Sequence, residues 1–251
     1  RTSDMKVKVL GSSSSGNCYI LSTPTGSLLL DCGLPWRQIQ QGLNFDIGKV
    51  VGALISHEHQ DHAKAVIDVM RAGIDCYMSK GTAETLGIEQ SYRCQMVEKA
   101  KQFDVADFKI LSFDTEHDCA EPLGFLIQYK PTREKLLYLT DSYYCKYKFK
   151  ELNYIMIECN YIKETLDENI AAGRISEAAK PRLLQSHFSL DHVKQFLQAN
   201  DLSECRKIIL LHLSDYNSDS ARMVREIGEL TDIDTIVAEV GQEIELELWP
   251  Y

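Results

Sequence analysis

A run of six residues, His57-Glu58-His59-Gln60-Asp61-His62, constrains this chain more than any other. It follows KVVGALIS (49–56), an apolar and β-branched stretch that reads as a buried strand. It leads into QDHAKAVIDVMRAG (60–73), whose Ala63, Val66, Ile67 and Met70 recur at helical spacing. The cluster therefore falls in the loop where a core strand gives way to a helix. His57 and His59 are two apart and point the same way if the backbone stays extended, offering one metal a pair of nitrogen ligands. Asp61 and His62 lie past the turn and are available to a second, adjacent metal, because four ligands from so short a segment would crowd one ion. A solvated histidine-rich loop is the plain alternative; four ligand-type residues directly after a core strand weigh against it.

HxHxDH after a hydrophobic strand resembles the signature of the metallo-β-lactamase fold hydrolases. The resemblance implies further ligands in a fixed order. His117 in FDTEHDC would be the third ligand of the first metal, Asp141 in LLYLTDS the bridging carboxylate, and His212 in IILLHLSD the last ligand of the second. Asp141 and His212 each follow an apolar run, KLLYLT (135–140) and RKIILL (206–211). Five of the seven histidines, His57, His59, His62, His117 and His212, fall on these positions. The implied cofactor is a pair of divalent ions, zinc or manganese foremost. The implied fold is a four-layer αββα sandwich; periodicity alone gives only the α/β class.

Within that family, the chain resembles the nuclease branch, which includes tRNase Z and the small YycJ-like nucleases acting on DNA ends. The resemblance rests on HFS (187–189), GSSSSGN (11–17) and LLHLS (210–214). It implies that His187 meets the substrate phosphate or protonates the leaving group; the alternative is a histidine hydrogen-bonded near a helix start. Only about 70 residues separate Asp141 from His212, too few for a large inserted domain. The chain departs from the group at ECNYIKE (158–164), where Tyr161 stands in place of a histidine. GSSSSGN lacks the Lys-Ser/Thr of a phosphate loop and reads instead as a hairpin that comes close to the site. Asp31, ending LLLDCG, reads as a residue that orients a histidine.

Two ions about 4 Å apart can hold a hydroxide between them and neutralise a phosphate oxygen; together with Asp61-His62, the resemblance to the nuclease branch implies phosphodiester hydrolysis as the activity. Asp61 and His187 are the expected catalytic residues, His187 as the general acid. In DSYYCKYKFKEL (141–152) an extended conformation separates Tyr143, Cys145, Tyr147 and Phe149 from Tyr144, Lys146, Lys148 and Lys150. Lys146, Lys148 and Lys150 would then track a phosphate backbone, with tyrosines available to stack on bases. An edge segment guarded by lysines is the alternative.

At 251 residues and 44% hydrophobic, the chain can bury the core of one domain spanning 5–251, with residues 1–4 read as an addition ahead of Met5. No apolar run approaches the roughly 20 residues of a membrane helix. Eight cysteines without a CxxC pair read as reduced thiols and point to the cytoplasm. Twenty-seven Lys and Arg against 37 Asp and Glu give a net charge of -10, which opposes a polyanionic partner such as DNA. That charge keeps a dinuclear hydrolase of a small ester, thioester or cyclic phosphodiester as an alternative. A noncatalytic, metal-stabilised adaptor is a second, although nothing in the chain points to an obligate protein partner. Expected elements include a helix from Pro35 to about Leu43, helices near 168–180, 189–199 and 219–230, and a closing strand pair, TIVAEV and EIELEL.

Overall fold

The computed structural model describes residues 5–247, so residues 1–4 and Leu248 of the last expected strand lie outside them. The described residues fall into two compact units.

The first unit comprises 5–114, 119–134 and 239–247. Strands β1 (Met5–Ser13), β2 (Gly16–Thr23), β3 (Gly26–Leu30), β4 (Val50–Leu54), β5 (Cys76–Met78), β6 (Cys94–Met96) and β14 (Glu243–Leu246) form one sheet in the order β14-β1-β2-β3-β4-β5-β6. Its β14 to β3 half is antiparallel and its β3 to β6 half parallel. β3 is buried throughout, as a strand covered on both faces must be. A meander of β7 (Gln102–Val105), β8 (Phe108–Asp114) and β9 (Leu123–Tyr129) belongs to the same unit. The helices α1 (Trp36–Gly42), α2 (Gln60–Ala63), α3 (Val66–Arg71) and α4 (Lys80–Leu86) contribute Ile39, Ala63, Val66, Val69, Met70 and Ala83 to a core shared with Leu29 and Ile55.

The helix expected after the metal loop is two helices. Ala65 leaves helical geometry, and its N–H goes to the carbonyl of Cys32. The break rotates α3, so Val69 is buried and Ile67, expected inside, is 45% exposed. Pro35 is the N-cap of α1 rather than its first residue. β6 and β7 are short strands that the sequence pattern did not single out.

The turn after β3 is tied to the loop after β4. Cys32 N–H donates to the His62 carbonyl, and Gly33 N–H to the Asn17 carbonyl. A Cβ on Gly33 would lie 1.7 Å from the Asp61 carbonyl oxygen, a backbone atom that cannot swing aside. Gly33→Ala is therefore expected to destabilise the protein by roughly 3 kcal/mol and to shift the metal loop. Urea unfolding checks this, and a midpoint equal to the parent's would show that the loop relaxes freely.

The second unit comprises Thr115–Asp118 and Lys135–Ala238. β10 (Lys135–Leu139), β11 (Tyr154–Glu158), β12 (Lys207–Leu211) and β13 (Asp234–Val237) run parallel in that order. α5 (Lys163–Ala171), α6 (Lys180–Ser186), α7 (Leu190–Ala199) and α8 (Ser220–Thr231) connect them. Ser189 caps α7 by accepting from the His192 N–H, and Val193, Phe196 and Leu197 are buried, as the spacing predicts. The helix expected over 168–180 does not exist as one element. α5 starts at Lys163 and ends before Gly173, whose φ of +69° is left-handed, and α6 resumes at Lys180. The expected pairing of 235–240 with 243–248 gives way to two pairings, β13 on β12 and β14 on β1. Among the described residues no helix is long and apolar enough to cross a membrane.

Candidate metal and phosphate site

In the first unit, Asp31 follows β3 and Ser56 lies two residues past the end of β4, both buried. Asp31 adopts a φ of +57°, a strained conformation for a non-glycine residue and one that tends to mark functional sites. Its carboxylate accepts from Ser56 N–H at 2.7 Å and Ser56 Oγ at 2.9 Å, and its Oδ2 lies 2.7 Å from His62 Nδ1. Because a carboxylate only accepts, His62 Nδ1 carries the proton, and Nε2 is left as the nitrogen that could take a metal in the neutral ring. Ser56 Oγ also sits 2.9 Å from His57 Nδ1. With the hydroxyl hydrogen given to Asp31, it accepts from His57, which assigns Nε2 as that ring's ligand atom as well. His57 Nε2 and His59 Nδ1 are 3.1 Å apart. That is about the separation of two nitrogens on one zinc ion with bonds of roughly 2.0–2.1 Å.

The hairpin of GSSSSGN does approach this loop. Asn17 Nδ2 lies 3.1 Å from His62 Nε2 and 3.3 Å from the Asp61 carbonyl. The Asp61 side chain is partly exposed, its Oδ2 3.6 Å from His62 Nε2. Glu58 turns away, bonding Ala120 N–H and Thr82 Oγ1.

In the second unit, β10, β11 and β12 end in successive acid or imidazole residues. Asp141 follows β10, Glu158 is the last residue of β11 and His212 follows β12. With His187 they offer ligand atoms within 4.8 Å of one another. His212 takes a φ of +51°, the counterpart of the strain at Asp31. Its Nδ1 lies 2.8 Å from Asp141 Oδ1 and 3.3 Å from Glu158 Oε1. Burial opposes charging the ring, but Asp141 and Glu158 outweigh it and push its pKa up to about 10. His187 Nδ1 meets Glu158 Oε1 at 2.6 Å. Burial again opposes charge, and the Glu158 carboxylate still raises His187 above its ordinary value. Glu158 is fully buried, which disfavours its charge; His187 beside it nevertheless holds it below the usual carboxylate range. Its Oε2 accepts from the N–H groups of Phe188 and Ser142.

His117 donates Nδ1–H to the Ser186 carbonyl at 2.7 Å, leaving Nε2 as the ligand nitrogen, 3.7 Å from Asp141 Oδ2. Burial lowers its pKa, so the ring is held neutral, the form a metal takes. The donor chemistry of both units thus fits divalent ions: imidazoles oriented through their far nitrogens, and carboxylates beside them.

Glu158 is the residue that sequence reading missed. The signal was present: an acid closing the wholly buried strand YIMIE, as Asp141 and His212 follow theirs. The ECNYIKE loop, whose role the sequence left open, supports His187. Asn160 N–H bonds the Phe188 carbonyl, Leu190 N–H bonds the Tyr161 carbonyl, and the Tyr161 side chain is buried.

Residues 141–150 form no regular strand, yet alternate as expected. Tyr144, Lys146, Lys148 and Lys150 are exposed, Tyr143, Cys145 and Tyr147 are half-buried, and Phe149 is buried.

Residues 27–213 match the family model described as the beta-lactamase superfamily domain. Exodeoxyribonuclease WalJ of Streptococcus pneumoniae is 26% identical over 97% of this chain and 93% of its own length. Exodeoxyribonuclease YycJ of Bacillus anthracis is 28% identical over 86% of this chain and 85% of its own. The metallo-β-lactamase fold protein YhfI of Bacillus subtilis superposes with a TM-score of 0.72 at 16% identity, covering 95% of this chain and 98% of that one. That likeness gives this α/β chain the fold whose αββα layering the sequence led one to expect. With the family model spanning most of its length, the chain belongs to the metallo-β-lactamase superfamily.

Proposed function

We propose that this chain is a divalent-metal-dependent phosphodiesterase that acts on nucleic acid, as an exonuclease on DNA. The observation that carries this reading is the buried Asp141–Glu158–His187–His212 cluster, in which a carboxylate that cannot reach solvent fixes a partly exposed imidazole. Its support from relatives is that WalJ and YycJ are named exodeoxyribonucleases.

His57, His59, Asp61 and His62 of the first unit and His117, Asp141 and His212 of the second would be the ligands of divalent ions. Zinc and manganese suit this mixture of imidazole and carboxylate. Bound there, the ions supply Lewis acidity at the phosphate and a nucleophile at neutral pH. The remaining work belongs to the chain. Glu158 accepts from His187 Nδ1–H, so the proton given to the leaving oxygen comes from Nε2, on the far side of the ring from the carboxylate. Lys146, Lys148 and Lys150, the exposed alternate residues of this segment, would hold the phosphate backbone. Six cysteines, Cys18, Cys32, Cys76, Cys94, Cys159 and Cys205, are buried packing groups suited to a reducing cytoplasm, and burial pushes up the thiol pKa of Cys18, Cys32, Cys76 and Cys159.

The net charge of -10 favours the second reading, a hydrolase of a small ester, thioester or cyclic phosphodiester. One assay separates the two. Replacing Lys146, Lys148 and Lys150 together by alanine is expected to lower kcat/KM on end-labelled DNA by about 10-fold or more and to flatten its salt dependence by about 2 logarithmic units per decade. Turnover of bis(para-nitrophenyl) phosphate stays at the parental rate. Equal turnover of DNA by parent and variant at every salt concentration rules out this polymer track.

A further inference from the structure

Two tyrosines of the second unit that follow cluster residues in the chain stand in solvent, Tyr144 at 52% and Tyr216 at 78% exposure. Tyr144 lies three residues past Asp141 and Tyr216 four past His212. Asp141 and His212 follow β10 and β12, which flank β11 and so lie roughly 9.5 Å apart at the same end of the sheet.

Neither tyrosine sits on loose chain. Ser142 Oγ donates to the Tyr144 carbonyl at 2.7 Å, and Asn169 Nδ2 to the Tyr216 carbonyl at 2.7 Å. The loop carrying Tyr216 is fastened along its whole length. Asn160 Nδ2 holds the His212 carbonyl, Ser214 N–H bonds the Asn160 carbonyl, Ile162 N–H bonds the Asn217 carbonyl, and Ser218 Oγ returns to the Ser214 carbonyl. Asn217 itself is buried. A loop so ordered ordinarily tucks a large ring inward, because leaving it in water forgoes about 2 kcal/mol of burial. Here the backbone is fixed and the ring left out. That is the form of a preorganised contact surface, in which the cost of ordering the chain is met before the ligand arrives.

We propose that Tyr216, together with Tyr144, stacks on unpaired bases on either side of the phosphate presented to the Asp141–Glu158–His187–His212 cluster, so that the substrate is taken as an unstacked single strand. The proposal rests on the nuclease reading above and adds to it the state of the substrate and two residues that select it. Four residues of chain reach at most about 14 Å, and less through a turn, which places the Tyr216 ring within one or two nucleotides of the cluster. Stacking suits an exonuclease because every base has a π-face, so the grip is independent of sequence.

The metal-loaded full chain tests this with single-stranded DNA, the same strand carrying abasic residues beside the cleaved bond, and bis(para-nitrophenyl) phosphate, which has no base to stack. Tyr216→Ala is expected to lower kcat/KM on DNA by about 10-fold, Tyr144→Ala by a similar factor, and Tyr216→Phe by less than about 2-fold. The loss appears in KM. On the abasic strand parent and Tyr216→Ala become equal, and all variants turn over the diester alike. A Tyr216→Ala enzyme that matches the parent on intact DNA overturns the proposal, as does a loss of the same size on the diester, which would make the ring a structural element. A parent that hydrolyses the diester and no DNA or RNA overturns the nuclease reading and this inference with it.

Discussion

Asp141→Ala is expected to lower phosphodiester hydrolysis by about 10³-fold or more and to reduce the bound metal below two ions per chain. Its carboxylate is buried and shared: Oδ1 accepts from His212 and Thr140, while Oδ2 lies 3.7 Å from His117 Nε2 and 3.8 Å from His187 Nδ1. Asp61→Ala, at a side chain that is 25% exposed, should cost comparable activity with a smaller loss of stability than Asp141→Ala, whose carboxylate is buried. Metal analysis alongside activity and thermal unfolding separates the cases. Two bound ions and near-parental hydrolysis in Asp141→Ala would remove that residue from the metal centre.

The same network dictates a pH dependence for metal-free protein. His212 has a folded pKa of about 10 against an ordinary 6.5, so its ion pair with Asp141 adds stability that is fully present below the unfolded value and fades as pH rises through about 10. Metal-free Asp141→Ala is thus less stable than its parent at pH 7, and the gap narrows in alkali. A metal bound by His212 must displace that proton.

Sequence reading located the strands that lead into the candidate ligands of each unit, because KVVGALIS, KLLYLT and RKIILL are apolar runs closed by polar residues and parallel strands are buried on both faces. It did not find Glu158. Acids are common at strand ends, and only the fold shows that this one is fully buried against two imidazoles. The break at Ala65 was equally hidden. The residues from 60 to 73 keep a helical period, and what interrupts them is a tertiary hydrogen bond to Cys32. Ile67 was assigned inward for that reason and lies outward. Gly33 carries no local signal either, since its need for a missing Cβ comes from Asp61, distant in sequence. Periodicity reports what a segment would bury alone; these misses are all cases where a partner remote in sequence decided.

The second large effect belongs to His187. Its imidazole is 23% exposed, hydrogen-bonded through Nδ1 to Glu158, and ringed by His117 and His212 at centroid distances of 5.4 and 5.5 Å. If it protonates the leaving oxygen, its removal matters in proportion to how badly that oxygen needs a proton. A deoxyribose alkoxide is a poor leaving group and a nitrophenolate a good one. His187→Ala is therefore expected to lower kcat on DNA by about 10²- to 10⁴-fold and on bis(para-nitrophenyl) phosphate by less than about 10-fold, with bound metal unchanged. Glu158→Gln should reproduce the pattern in weaker form, because it keeps the acceptor oxygen and loses the charge that holds His187 protonated. Equal losses on the two leaving groups would assign His187 to binding the phosphate, and leave the proton to be supplied by solvent.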